Sequence, residues 1–237
     1  MRDLQHDALN LFDLELDDSQ AAAFARYAAE LADWNKRINL TAITEPGEVQ
    51  VKHFLDSLSC LPAMRETDFN RIIDVGTGAG FPGIPLKIAV PDIHLTLVES
   101  VGKKTAFLAH IVQVLGLDGV EILTARAEEV GRLPDHRETY DWALARAVAP
   151  VTVLAEYLLP LVKPGSYMLA QKGHTAHEEA TDAQPAFAEL GGELQDFIKV
   201  ELSDVSDSRY LVVVKKIENT LEKYPRRVGV PGKRPLE

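Results

Sequence analysis

The chain has 237 residues, of which 46% are hydrophobic, 26% charged and 7% aromatic, the balance of a globular protein rather than a disordered, collagenous or membrane-embedded one. Its 36 Asp and Glu outweigh 25 Lys and Arg, so at −11 there is no general attraction for phosphates, and any nucleic-acid contact needs a local basic region. The single cysteine, Cys60, excludes an intramolecular disulfide and every zinc site that needs two thiolates, and it predicts a reducing, cytoplasmic setting.

Met1 to Leu16 carries acidic residues instead of a basic region followed by an apolar one, and the apolar stretch Trp142 to Val162 is broken by Arg146, Pro150, Glu156 and Pro160. Neither a secretory leader nor a membrane span is expected. Residues 1–66 read as a helical extension, because Phe24, Tyr27, Leu31, Trp34 and Ile38 recur at three- and four-residue steps. Ser19 is the expected N-cap. A second amphipathic helix is predicted from about Pro46 to Leu61, through Val51, Leu55 and Leu58, with Pro62 stopping it.

From Arg71 the rhythm changes to short apolar runs alternating with helical stretches. Strands are predicted at Ile72 to Val75, Leu95 to Glu99, Val120 to Thr124, Trp142 to Ala147, Tyr167 to Gln171, Glu193 to Glu201 and Arg209 to Lys215. Helices are predicted at about 83–90, 103–116, 127–131, 151–162 and 175–190. Alternation of this kind predicts an α/β fold with a mostly parallel sheet of seven strands covered on both faces. Between the last two strands only Ser203 to Ser208 remains, too short for a crossover, so they should form an antiparallel edge. This is the outline of a class I, Rossmann-like methyltransferase domain using S-adenosylmethionine (SAM), placed at 67–217. The remaining 218–237 should be an extended or flexible basic tail: from Lys215 onward seven basic side chains face three acidic ones, and Pro225, Gly229, Pro231, Gly232 and Pro235 punctuate it.

The strongest chemical signal is Ile72-Ile73-Asp74-Val75-Gly76-Thr77-Gly78-Ala79-Gly80-Phe81-Pro82-Gly83, a buried strand entering a glycine turn and then a helix. A dinucleotide loop would begin as the strand ends, yet the sixth position from Gly76 is Phe81; the pattern fits only from Gly78, two residues late. Asp74 also repels phosphates and suits a cationic amino acid. At the end of the second strand Glu99 can accept both ribose hydroxyl hydrogens, as a carboxylate about 20 residues beyond such a turn does elsewhere. Ala127 and Glu128 open a helix where backbone N–H groups and a carboxylate could read an adenine edge, although such acids also serve as helix-dipole partners. Arg146 ends the fourth strand at the rim of the same crevice, a position that suits a ligand contact and a surface ion pair equally. No metal site is expected, since His174 and His177 have no third ligand nearby.

Read together, these stretches resemble the RsmG (GidB, glucose-inhibited division protein B) family of bacterial small-subunit rRNA guanine-N7 methyltransferases. The resemblance runs through Trp34-Asn35-Lys36-Arg37-Ile38-Asn39-Leu40-Thr41-Ala42-Ile43-Thr44, His53-Phe54-Leu55-Asp56-Ser57-Leu58, the turn from Asp74 to Pro85, Gly102-Lys103-Lys104, Ala127-Glu128-Glu129, Arg146-Ala147 and Lys172-Gly173. It departs at Gln171, where an apolar residue is expected, and at Tyr210. The resemblance implies methylation of N7 on guanine 527, in the 530 loop of 16S rRNA, within the 30S subunit or an assembly intermediate, with S-adenosylhomocysteine (SAH) as co-product. It places cofactor positions at Gly76, Phe81, Ala127, Glu128 and Arg146; Asp74, Gly78 and Glu99 join them on the chemical arguments above. Asn39, His53, Asp56 and Arg146 are candidates for positioning the base, although a helix histidine satisfied by packing or by Asp56 explains His53 equally. Lys103, Lys104, Arg226, Arg227, Lys233 and Arg234 are the RNA-binding candidates. A monomer is expected. The residues alone leave open a SAM methyltransferase acting on a small molecule or a protein, a non-catalytic SAM- or RNA-binding assembly factor, and a nicotinamide dehydrogenase.

Overall fold

The structure, a computed structural model, describes residues 3–67, 69–202 and 208–237. Seven strands form one sheet in the order β3-β2-β1-β4-β5-β7-β6: β1 (Arg71–Val75), β2 (His94–Glu99), β3 (Val120–Thr124), β4 (Tyr140–Arg146), β5 (Val162–Lys172), β6 (Gly192–Val200) and β7 (Arg209–Lys216). The first five are mutually parallel, and β7 runs antiparallel to both β5 and β6. The expected antiparallel edge is therefore present. Of the connection expected at Ser203 to Ser208, residues 203–207 lie outside the described residues. Strand order reverses between β1 and β4, and ligand crevices of open α/β sheets form at such a reversal, beyond the carboxyl ends of the strands.

One face carries α1 (Leu4–Phe12) and α2 (Asp18–Asn35) of the extension, together with α6 (Gly83–Ala89) and α7 (Gly102–Leu115); Phe24, Tyr27, Leu31, Phe54, Ile84, Phe107 and Leu144 share its core. The opposite face is covered by α8 (Ala127–Val130), α9 (Val151–Leu158), α10 (Ala176–Asp182) and α11 (Gln184–Glu189), with Tyr224 of the tail packed in. Tyr140 and Trp142 are fully buried in β4, the central strand. Among the described residues no helix is long and apolar enough to cross a membrane.

Several local expectations change. The N-cap of α2 is Asp17, not Ser19: its carboxylate accepts from the Gln20 N–H while the Gln20 side chain accepts from the Asp17 N–H, and the Ser19 hydroxyl donates to Asp17. The stretch expected as one helix from Pro46 is α3 (Pro46–Val49), a π-helical segment (Gln50–Leu55) and α4 (Asp56–Leu58). Pro62 does not end it. It sits in the first turn of α5 (Leu61–Met64), where its missing N–H costs nothing. The helix expected over 175–190 breaks at Ala183, because Pro185 cannot donate within a continuous helix and starts a new one. The tail, expected to be extended or flexible, is folded back onto α8 and α9 and contains a short helix, α12 (Val230–Lys233).

Tyr27 joins the extension to the sheet. Its ring is fully buried and stacked on Phe81, and its hydroxyl donates to the Ala79 carbonyl inside the glycine turn. Tyr27→Phe keeps the ring and strands that carbonyl, so chemical denaturation should find the variant about 1–3 kcal/mol less stable; stability equal to wild type would contradict this reading of the joint.

Candidate functional site

β1 delivers the chain into a turn with three left-handed glycines, at φ +70° (Gly76), +62° (Gly78) and +101° (Gly80). A Cβ on Gly76 would lie 2.6 Å from Val148 Cγ2, and one on Gly80 would lie 2.7 Å from the Tyr27 hydroxyl, so both positions need glycine for space as well as for backbone. Asp74 lies beneath the turn, fully buried, where its Oδ2 accepts from the Thr77 hydroxyl at 2.6 Å and from the Gly83 N–H at 2.8 Å. Burial pushes its carboxyl up to about 6, against the pull of those two hydrogen bonds. The other carboxyl oxygen, Oδ1, has no partner among the described residues.

Beyond the strand ends opens a cavity of about 390 Å³ lined by Gly76, Glu99, Ala127, Glu128, Val148 and Tyr157, among others. Glu99 ends β2 and holds the turn: its Oε2 accepts from the Gly78 N–H at 3.2 Å and its Oε1 from the Val101 N–H at 2.8 Å, with the Lys104 ammonium 4.0 Å away. Glu128 is buried at the start of α8. The two carboxylates and the bare Gly76 backbone suit a ligand that offers hydroxyls and an amine. They suit two phosphates poorly, since among the described residues Arg126 is the one basic side chain in the lining. A nucleoside attached to an amino acid fits this donor and acceptor set. A larger cavity of about 810 Å³, between α1, α2 and the loop before α3, is lined by none of these strand-end residues.

Beside the turn a second cluster forms around Arg146, the last residue of β4. Its Nη1 donates to Asp56 Oδ2 at 2.9 Å and to the Lys52 carbonyl at 3.1 Å, its Nη2 to His53 Nδ1 at 3.2 Å, and its guanidinium lies 4.9 Å from the Phe81 ring centroid. The Lys52 carbonyl belongs to the π-helical segment, and Arg146 supplies a donor to that irregular turn. Arginine has no acceptor, so His53 Nδ1 must accept and the ring proton sits on Nε2, donated to Thr41 Oγ1 at 2.8 Å. Burial, with the Arg146 charge adding to it, depresses His53 to about 3, so the ring is neutral. It stacks on Phe81 at 4.4 Å. Asn35 holds Thr41 in place: its Oδ1 accepts from the Leu40 and Thr41 N–H groups and its Nδ2 donates to the Thr41 carbonyl.

Of the residues expected at the cofactor, Gly76, Glu99, Ala127 and Glu128 line the cavity together, while Asp74, Gly78, Phe81 and Arg146 do not. Asp74, Gly78 and Phe81 shape the turn from behind. Arg146 meets His53 and Asp56 but not Asn39, which is exposed on the loop after α2. Gln171, an apparent departure, donates to the Asp56 carbonyl at 2.7 Å. Among the RNA-binding candidates, Lys103, Arg227, Lys233 and Arg234 are exposed. Arg226 is committed elsewhere, paired with both oxygens of buried Glu156. Trp34 packs against Phe107 and His110. Thr41, Tyr157, Val228 and Gly229 carry no site signal in the sequence. The first was visible only as part of a motif, and the others reach the cavity through tertiary contacts that leave no local pattern.

Residues 20–207 match the family model described as GidB, rRNA small subunit methyltransferase G. A ribosomal RNA small subunit methyltransferase G from Roseiflexus castenholzii is 53% identical over 223 residues, covering 94% of each chain. One from Alkaliphilus oremlandii is 44% identical over 237 residues, covering 100% of this chain and 99% of its own. Among solved structures, a SAM-dependent methyltransferase from Aquifex aeolicus superposes with a TM-score of 0.54 at 17% identity, over 73% of this chain and 94% of that one. TYW2 from M. jannaschii, in complex with AdoMet, gives a TM-score of 0.53 at 13% identity, over 68% of this chain and 77% of its own. At such identities these two structures speak to fold alone.

The neutral His53 has a pH consequence. Its folded pKa, about 3, lies below the ordinary 6.5 or so, so between those values the unfolded chain binds the extra proton and the stability that His53 confers is lost as pH falls. Thermal melts of wild type and His53→Asn should therefore converge as pH drops from about 7 to about 5. A gap that stays constant across that range would show that His53 is not held neutral.

Proposed function

The chain belongs to the rRNA small subunit methyltransferase G family, and on that premise we propose that it transfers the methyl group of SAM to N7 of a guanine, guanine 527 in the 530 loop of 16S rRNA, releasing SAH. The observation that carries the cofactor assignment is the cavity at the ends of β1, β2 and β3, where Gly76, Glu99 and Glu128 converge. Glu99 takes the ribose hydroxyls. Ala127 and Glu128 take the adenine edge, and the turn from Asp74 to Phe81 keeps the Gly76 backbone bare for the amino-acid end.

Bound SAM supplies an electrophilic methyl on a sulfonium. Guanine N7 has an in-plane lone pair and no proton, so the chain need not provide a general base; its residues orient the base and tolerate the positive charge that the base acquires. Arg146 would oppose that charge if it stood alone, but Asp56 pairs with it at 2.9 Å, more closely than with Arg209 at 3.7 Å. The neutral His53, fixed by Arg146 and Thr41, adds no second charge. His53, Asp56 and Arg146 are thus positioning residues in this reading, while Asn39, exposed on the loop after α2, stands apart from them.

With a charge of −11, the protein depends on presentation of the loop by an assembled or assembling 30S subunit, with Lys103, Lys104, Arg227, Lys233 and Arg234 meeting phosphate. We place it in the cytoplasm as a monomer.

Tritiated SAM incubated with the protein and 30S subunits lacking this modification should label one guanine of the 530 loop, with N7-methylguanine located by chemical cleavage. Label in tRNA, 23S rRNA or protein instead would assign a different acceptor, and SAM binding without SAH release would make the chain a non-catalytic factor. Protein-free 16S rRNA should be the poorer substrate; equal labelling of naked RNA and subunits would remove the presentation argument. Loss of the ribose contacts in Glu99→Ala should raise the Kd for SAM about tenfold or more, measured by calorimetry. An unchanged Kd would retire that assignment.

A further inference from the structure

The C-terminal tail begins after β7, beyond residue 207 where the family model stops. In the fold it runs back across α8 and α9 and reaches the cofactor cavity, where Val228 and Gly229 form part of the lining. We propose that the segment from Tyr224 to Gly229 is a wall of the adenine end of the cofactor site, latched by Arg226 and contributing to recognition of the nucleoside; this rests on the assignment of the cavity to SAM.

Two sets of contacts carry the proposal. The first is a latch too specific for a solvated tail. Glu156, on α9 and 1% exposed, accepts from the Arg226 backbone N–H at 2.7 Å, from Arg226 Nε at 2.9 Å and 3.0 Å, and from Nη2 at 2.6 Å. A carboxylate buried so completely is tolerated only because this guanidinium satisfies it. Upstream, Arg137 donates to the Tyr224 carbonyl at 2.8 Å and to the Thr220 carbonyl at 2.6 Å, and the Tyr224 hydroxyl donates to Glu189 at 3.1 Å. Pro225 packs so closely on Gly131 that a Cβ there would lie 2.9 Å from its ring.

The second is what the latched segment touches. The Gly229 N–H donates to Glu128 Oε1 at 2.8 Å, from a backbone at φ +77°. Glu128 is the carboxylate assigned to the adenine edge, so the tail fixes the orientation of the group that reads the base. A carboxylate offers about four acceptor directions, so the Gly229 N–H and the Tyr157 hydroxyl together leave room for an exocyclic amine. Val228, next to it, lines the cavity yet is 50% exposed. An apolar side chain at a cavity wall with half its surface in water gains by covering the flat face of a base.

The test uses the full chain. Val228→Asp should leave the melting temperature unchanged, since the side chain supports no core, and should raise the Kd for SAM and for SAH about tenfold by placing a carboxylate against the base. Val228→Ala should do the same to a smaller degree. In wild type, SAH should slow amide hydrogen exchange at residues 226–230. SAM binding to wild type with unchanged or tighter binding to Val228→Asp, or no exchange protection of 226–230 by SAH, would overturn the wall while leaving the cofactor assignment intact. Failure of wild type to bind SAM or SAH at all would remove both.

Discussion

The guanidinium of Arg146 is the contact on which the site depends. It stands at the carboxyl end of the central strand and reaches into the helical extension, where the Lys52 carbonyl, His53 Nδ1 and Asp56 Oδ2 accept its hydrogens, while its face lies against Phe81 of the glycine turn. Three separate pieces of chain therefore meet on one side chain. Removing one partner of a buried ion pair typically costs about 3–5 kcal/mol, because the charge left behind is poorly solvated, and here Asp56 would be left with Arg209 at 3.7 Å. A penalty of that size is a large share of a domain's stability, so the extension and the sheet are expected to stand or fall together at this point.

That arrangement ties the N-terminal residues to the glycine turn without placing them in the lining of the cavity. Tyr27 ties α2 to the Ala79 carbonyl, and the Asn35 side chain fixes the loop that brings Thr41 to His53. His53 stacks on Phe81 and so supports the turn whose opposite surface meets the cavity. The extension acts as the back wall of the glycine turn. It also supplies Asp56, a carboxylate shared between Arg146 at 2.9 Å and Arg209 at 3.7 Å.

Much of this could be read from the residues in order. Strand alternation announces the sheet because buried parallel strands are short apolar runs, as Ile72 to Val75 is, while the half-exposed edge strand Val120–Thr124 is bounded at both ends by the change in pattern. The glycine turn and Glu99 were legible because a left-handed backbone and a strand-end carboxylate have few alternatives. What stayed hidden depends on side chains that choose partners across the fold. Arg146 turns toward Asp56 and not into the cavity, Asp74 faces the N–H of Gly83, and Arg226 is taken by Glu156 although its neighbours made it look like a phosphate ligand. The π-helical turn at Gln50–Leu55 has no composition of its own, since its cost is met by a donor 90 or so residues away.

Cys60 offers a direct probe of the central claim. The thiol is fully buried in the extension, close enough to Asp56, Arg146 and Asp74 for their charges to act on it, and burial raises its pKa well above the usual thiol range. Its rate of modification by a thiol reagent reports how often the extension opens. If Arg146 holds extension and sheet together, Arg146→Ala will be modified at least about tenfold faster than wild type under native conditions, a change of about 1.4 kcal/mol or more in the opening free energy. Modification at the wild-type rate would contradict the account.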